Sequence, residues 1–173
     1  MTEAAEPAPE KKPRSWKRWA IEIGVVALIF FGVRAYQTRD AASGPAPALS
    51  ATTITGEPVS LEGLDEPVLV HFWATWCGVC EAEEGNIDSV AEGHRVISVA
   101  TRSGRPQQVS AYMAQHGLDF PVVNDPGAVL SHQWGVEAFP TSFVVDPDGR
   151  IRHVEVGYTT TLGLRSRLFL AGF

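Results

Sequence analysis

The chain carries 173 residues, with 14 Lys and Arg against 20 Asp and Glu, for a formal net charge of −6. That length allows one globular domain plus an appendage. From Asp40 onward 16 acidic residues face 7 arginines, and so acidic a domain argues against a nucleic-acid partner, which would need a basic surface.

Residues 1–15, rich in Ala, Pro, Glu and Lys, have almost nothing to bury and read as a disordered cytoplasmic leader. Residues 16–36, WKRWAIEIGVVALIFFGVRAY, read as a transmembrane signal-anchor. At 1.5 Å per residue this helix reaches about 30 Å, the thickness of a bilayer's hydrocarbon core. Its strictly uncharged centre, Ile23 to Val33, is short. Lys17, Arg18 and Arg34 lie towards the ends, where they can snorkel, and Glu22 is one turn from Arg18. Trp16, Trp19 and Tyr36 fall where interfacial aromatic belts form. A cleaved signal peptide is the competing reading, but no small-x-small site follows closely. Lys11, Lys12, Arg14, Lys17 and Arg18 precede the span while only Arg34 and Arg39 follow it. The positive-inside bias therefore puts the remainder outside the cytoplasm. The expectation is a single-pass protein of the cell inner membrane, its domain facing the periplasm in a Gram-negative cell. Residues 37–49, including the Gly/Pro/Ala stretch Ala41 to Ala48, read as a linker, and the domain occupies residues 50–173.

Within the domain, Thr52 to Leu61 predicts two short strands around a turn. Val68 to Trp73 (VLVHFW) is a continuous, mostly apolar run, the mark of a central strand buried on both faces. Glu81 to Glu92 predicts a helix with Ile87, Val90 and Ala91 inward, and Arg95 to Ala100 the next buried strand. Pro106 opens a helix that Gly117 stops, and Phe120 to Val123 is a short strand. Thr141 to Val145 and Ile151 to Val156 flank DPDG, a hairpin signal. Thr160 to Phe173 predicts a last helix. This order implies an α/β fold with a mixed sheet flanked by helices. It sets both cysteines at the carboxyl end of a central strand, where open sheets place their sites.

Cys77 and Cys80 are the chain's two cysteines, and three uses compete for them. A structural staple closing so small a loop removes little unfolded-state entropy. A zinc site needs about four ligands, and His71, His94, His116, His132 and His153 show no paired ligand spacing. With only two methionines, a thioether-rich copper site is not available. A reactive dithiol is the reading that remains.

VLVHFWATWCGVC, together with Phe139-Pro140-Thr141 ahead of a strand, resembles the active-site strand and cis-proline loop of thioredoxin-like proteins over roughly residues 50–173. The anchor, the FWATWC wording and the DPDG hairpin resemble the membrane-tethered TlpA/ResA/DsbE-like branch. The ending GYTTTLGLRSRL looks most like the suppressor-of-copper-sensitivity D proteins. The resemblance implies a membrane-anchored protein-disulfide oxidoreductase acting on protein thiols or disulfides, served by a membrane redox partner, with no cofactor and no metal.

A thiolate is the attacking species, and a helix N-terminus at Cys77 favours its anion. Cys77 is therefore the expected nucleophile and Cys80 the resolving thiol, with Trp76 and Trp73 keeping apolar surface around them. The resemblance makes Pro140 the cis-proline, with the backbone at Phe139 and Thr141 open to an extended partner segment. His71 stands where thioredoxins carry a buried, proton-shuttling aspartate, and reads either as a shuttle or as an ordinary strand histidine. Gly85 stands where relatives usually have a kinking proline. Glu83 either matches an acidic position recurrent near the dithiol in the ResA-like branch or belongs to a solvated first-turn face, as Glu81 and Glu84 are read to do. Two rival functions are an apocytochrome c maturation reductant, whose usual acidic residue after the cis-proline is Thr141 here, and a module holding Cu(I) between the two thiolates.

Overall fold

A computed structural model describes residues 16–38 and 41–173; the leader expected to be disordered lies outside them. Helix α1, Trp16–Thr38, forms over the expected span. Among the described residues, however, no helix is long and apolar enough to cross a membrane. Glu22 and Arg34 bound the uncharged run Ile23 to Val33, which at 1.5 Å per residue covers roughly half of a bilayer's hydrocarbon thickness. The chain divides into two compact units between Ala35 and Tyr36.

The second unit is built on a six-stranded mixed sheet. Its strands are β1 (Gly44–Pro45), β4 (Val68–Trp73), β5 (Arg95–Thr101), β6 (Val122–Asp125), β7 (Thr141–Val145) and β8 (Arg150–Val156), in the order β1-β8-β7-β4-β5-β6. β2 (Ser50–Thr52) and β3 (Pro58–Ser60) pair separately. β4 is central, parallel to β5 and antiparallel to β7, and all six of its residues are buried. Period-two alternation divides them between two cores. Leu69 and Trp73 pack with Cys80, Ile87, Val109, Leu164 and Leu168. Val68, Val70 and Phe72 pack on the other face with Leu49, Trp134 and Phe143.

The first core lies under α2 (Gly78–Ala91), α3 (Pro106–His116) and α5 (Thr161–Ala171). Pro106 sits in the first turn of α3, and Gly117 ends it in the left-handed region at φ 65°, which glycine enters at little cost. A short helix, α4 (Val129–Gln133), was not expected from the sequence. The Asp125 carboxylate caps it, accepting from the Val129 and Ser131 amides at 2.8 and 3.1 Å.

Several boundaries differ from the expectations, and three have a clear physical cause. α2 starts at Gly78 rather than Glu81, because the Cys77 side chain caps it. β6 starts at Val122 rather than Phe120, since Pro121 has no N–H for the ladder and Phe120 turns into the first core. Part of the expected linker instead lies on the domain. Ala42 donates its amide to Trp134 O at 3.0 Å, Gly44–Pro45 extends the sheet, and Leu49 is buried in the second core.

Candidate active site

The site grows from the end of β4. After Trp73 the chain makes one turn, in which Cys77 N–H donates to Ala74 O at 3.1 Å, and then enters α2. Cys77 is the N-cap, with extended backbone, and its Sγ accepts from the Cys80 amide at 3.2 Å. Cysteine is not among the usual capping residues, which is why the sequence places the helix start three residues late. Cys77 and Cys80 are joined as a disulfide, their Cα atoms 5.2 Å apart. Cys77 is half-buried, whereas Cys80 is 3% exposed.

The rim is aromatic. Trp76 is exposed, its ring edge-on to Phe139 at 5.8 Å. Its indole N–H donates to Arg102 O at 3.1 Å, and the Thr75 amide donates to Ser103 Oγ at 3.0 Å. The turn after β5 therefore fixes the loop ahead of the cysteines. Arg102 itself adopts φ 49°, a left-handed conformation in which a non-glycine residue is uncommon. The Phe139–Pro140 bond is cis, and the Trp76–Phe139 contact brings this loop beside the dithiol. Pro140 O accepts from the Gly157 amide at 2.8 Å. Thr141 does not lie open as expected: it is buried and paired on both sides, with Phe72 and Val156. Phe139, half-buried, is the accessible member of the pair.

Two of the candidate ionisable groups are buried. His71 shares the sheet face of Leu69 and Trp73, and its Nδ1 is 2.8 Å from Ser142 Oγ. Burial pushes its pKa down from 6.5 to about 3, so the imidazole is neutral at physiological pH. Glu83 is fully buried. Its Oε1 accepts from the Thr159 amide at 2.8 Å, while Oε2 has no hydrogen-bond partner among the described residues. Burial pushes this carboxyl up to about 7; the Thr159 amide opposes the rise and nearby Glu155 adds to it. Glu83 is thus a buried carboxyl whose proton affinity is raised towards neutral pH.

Its neighbours differ. Glu81 is exposed, as expected of a first-turn acid. Glu84 is not a solvated residue: it accepts from Tyr112 OH at 2.9 Å and lies 2.7 Å from His116 Nδ1, tying α2 to α3. Among the described residues, no three His, Cys, Asp or Glu side chains gather into a metal-binding group. Ser142, Thr159, Arg102 and Ser103 were missed from the sequence, since each acts through backbone placement or a hydroxyl with no motif of its own.

Residues 41–167 match the model of the Redoxin family. A thioredoxin-like protein of Haemophilus influenzae is 40% identical over 123 residues, covering 69% of this chain and 73% of its own. The thiol:disulfide interchange protein DsbE of Allochromatium vinosum is 30% identical over 156 residues, covering 83% of this chain and 86% of its own. Among solved structures, a thiol:disulfide interchange protein of the thioredoxin family from Chlorobium tepidum superposes with a TM-score of 0.64 at 29% identity. It covers 76% of this chain and 98% of its own.

Proposed function

The chain belongs to the Redoxin family and is a thiol–disulfide oxidoreductase of thioredoxin-like fold, and from that premise we propose how its residues divide the reaction. Cys77 is the attacking thiol. It is the accessible cysteine, and at the N-terminus of α2 the unpaired amides and helix dipole favour its anion. Its thiolate attacks one sulfur of a substrate disulfide, that S–S bond breaks, and the other substrate sulfur leaves as a thiolate. Cys80 then gives its proton to Glu83, the carboxylate one turn further along α2. The Cys80 thiolate attacks Cys77 Sγ, closing the Cys77–Cys80 disulfide and releasing the second substrate thiolate. Oxidation of a substrate dithiol runs through the same steps reversed.

The half-exposed Cys77 at the helix cap, disulfide-bonded to a buried Cys80, is the observation that carries this reading. Trp76 and Phe139 form the apolar rim, and the backbone beside Pro140 receives an extended protein segment. The substrates are protein thiols or disulfides. We place the domain outside the cytoplasm, tethered to the inner membrane through α1 and exchanging electrons with a membrane partner. Support for the tether comes from the basic flank Lys11 to Arg18 and from the outward apolar side chains Ile21, Ile23, Val26, Leu28 and Phe31. Snorkelling of the charged ends would lengthen the short uncharged run.

The test is covalent trapping. Cys80→Ser should accumulate mixed disulfides with substrate proteins, resolved on non-reducing gels, and Cys77→Ser should not. Equal trapping by both variants would overturn the assignment.

A further inference from the structure

The segment GYTTT, Gly157 to Thr161, lies far from the cysteines in sequence, yet it touches both halves of the site. At one end the Gly157 amide donates to Pro140 O at 2.8 Å. In the middle the Thr159 amide donates to Glu83 Oε1 at 2.8 Å. At the other end Thr160 caps α5, its Oγ1 accepting from the Gly163 amide at 3.2 Å. One side chain holds the segment down. Asn86, three residues after Glu83 on α2, donates from Nδ2 to Tyr158 OH at 3.0 Å and to Thr159 O at 3.1 Å. Its Oδ1 accepts from Thr161 Oγ1 at 3.0 Å. Asparagine is a poor helix former, and here both ends of its amide are used outside the helix.

We propose that Asn86 is a positioning residue for the exchange reaction: by clamping Gly157–Thr161 onto α2 it holds the Thr159 amide on Glu83, governing how readily Glu83 takes the Cys80 proton. Through Gly157 the same clamp ties that proton site to the cis-proline strand where substrate docks. The proposal rests on the reading of Glu83 as the base for Cys80. With Oε2 unpartnered among the described residues, the Thr159 amide is the hydrogen bond that favours the ionised carboxyl, and its loss leaves the groups that oppose ionisation. These are the apolar surroundings and Glu155 of β8, itself paired with Arg167 of α5 at 2.7 Å. His71 of β4, neutral at physiological pH, supplies no counter-charge, and Glu84 is turned to Tyr112 and His116.

The experiment follows the reduced full-length protein reacting with oxidised glutathione between roughly pH 5 and 9, reading the step in which Cys80 displaces glutathione from Cys77. The wild type should show a rising limb with its midpoint near the Glu83 value of about 7. Asn86→Ala should move that midpoint up by about one pH unit, a tenfold change in proton affinity of the size one charge-assisted hydrogen bond supplies. The rate above the limb should be unchanged. Tyr158→Phe, which removes one of the Asn86 partners at an exposed side chain, should shift the midpoint less and in the same direction. A merely structural role would lower the melting temperature without moving the midpoint, and unmoved midpoints in both variants overturn the proposal. Glu83→Gln separates the two readings. Should it leave the limb in place, the base reading falls and the proposal with it. Should it abolish the limb while Asn86→Ala leaves the wild-type midpoint alone, the positioning role alone fails. In a Glu83→Gln background, Asn86→Ala should change nothing further in the pH profile, and any further shift there also counts against the proposal.

Discussion

Burial acts on Glu83 of α2 and His71 of β4 in opposite senses. Glu83 is raised from 4.5 to about 7, so the folded protein holds a proton that the unfolded chain releases. Its contribution to stability is full below pH 4.5 and is lost as pH rises through 7. His71 is lowered from 6.5 to about 3, so the unfolded chain takes the extra proton. That contribution is full above pH 6.5 and is lost as pH falls through 3. Between pH 4.5 and 6.5 the two slopes oppose each other. Glu83→Gln should therefore gain on the wild type by about 3 kcal/mol between pH 4.5 and 7 in denaturant melts. His71→Asn should gain by a few kcal/mol as pH falls from 6.5 to 3. A Glu83→Gln stability curve parallel to the wild type would mean that this carboxyl is solvated. Cys77, Cys80 and Pro140 were legible as candidates because short local motifs carry them. Glu83 is harder to separate from Glu81 and Glu84, since helical register alone distinguishes them. The register was nonetheless present in the spacing of Cys80, Glu83, Ile87 and Val90, the four buried residues of α2.

At the scale of the element, α2 carries both the chemistry and a weak point. Gly85 lies in its exposed interior, and a Cβ there would meet nothing within 4 Å. Gly85→Ala should stabilise the domain by about 1 kcal/mol and leave the exchange rate unchanged. A rate that falls with rising stability would show that the helix must flex during turnover. Buried strands and amphipathic helices announced themselves, because β4 and β5 are apolar runs and α3 has both a proline start and a glycine stop. What escaped was held by side-chain capping or by edge pairing. α4 is five residues long and depends on Asp125, which precedes it by four positions. The start of α2 depends on a sulfur. β1 is a Gly-Pro pair that any composition-based reading assigns to a linker, and only the neighbouring β8 makes it a strand.

For the whole molecule, the sheet's period-two division of β4 explains how one strand serves two cores. Leu69 and Trp73 back the dithiol helix, while Phe72 packs tilted against Trp134 and edge-on to Phe143 at 5.6 and 5.8 Å. Phe143→Ala should cost about 3–5 kcal/mol, as a fully buried aromatic lost from a packed core. Equilibrium melts would measure it, and a cost under about 1 kcal/mol would mean that this core collapses around the gap. The residues read as linker matter at this scale too. β1 pairs Gly44 with Ile151 and Pro45 with Arg150, and on the far side of the sheet Thr53 bridges Val123. Removing residues 1–48 should make the domain self-associate with rising concentration in sedimentation, while a chain beginning at residue 41 stays monomeric. An exposed strand of a protein substrate can add itself to any bare sheet edge. Pro45 offers no N–H to such a strand, and Arg152 places a charge beside the stretch of β8 beyond it. This flank is thus closed to strand addition, while the dithiol stays open to a protein thiol or disulfide.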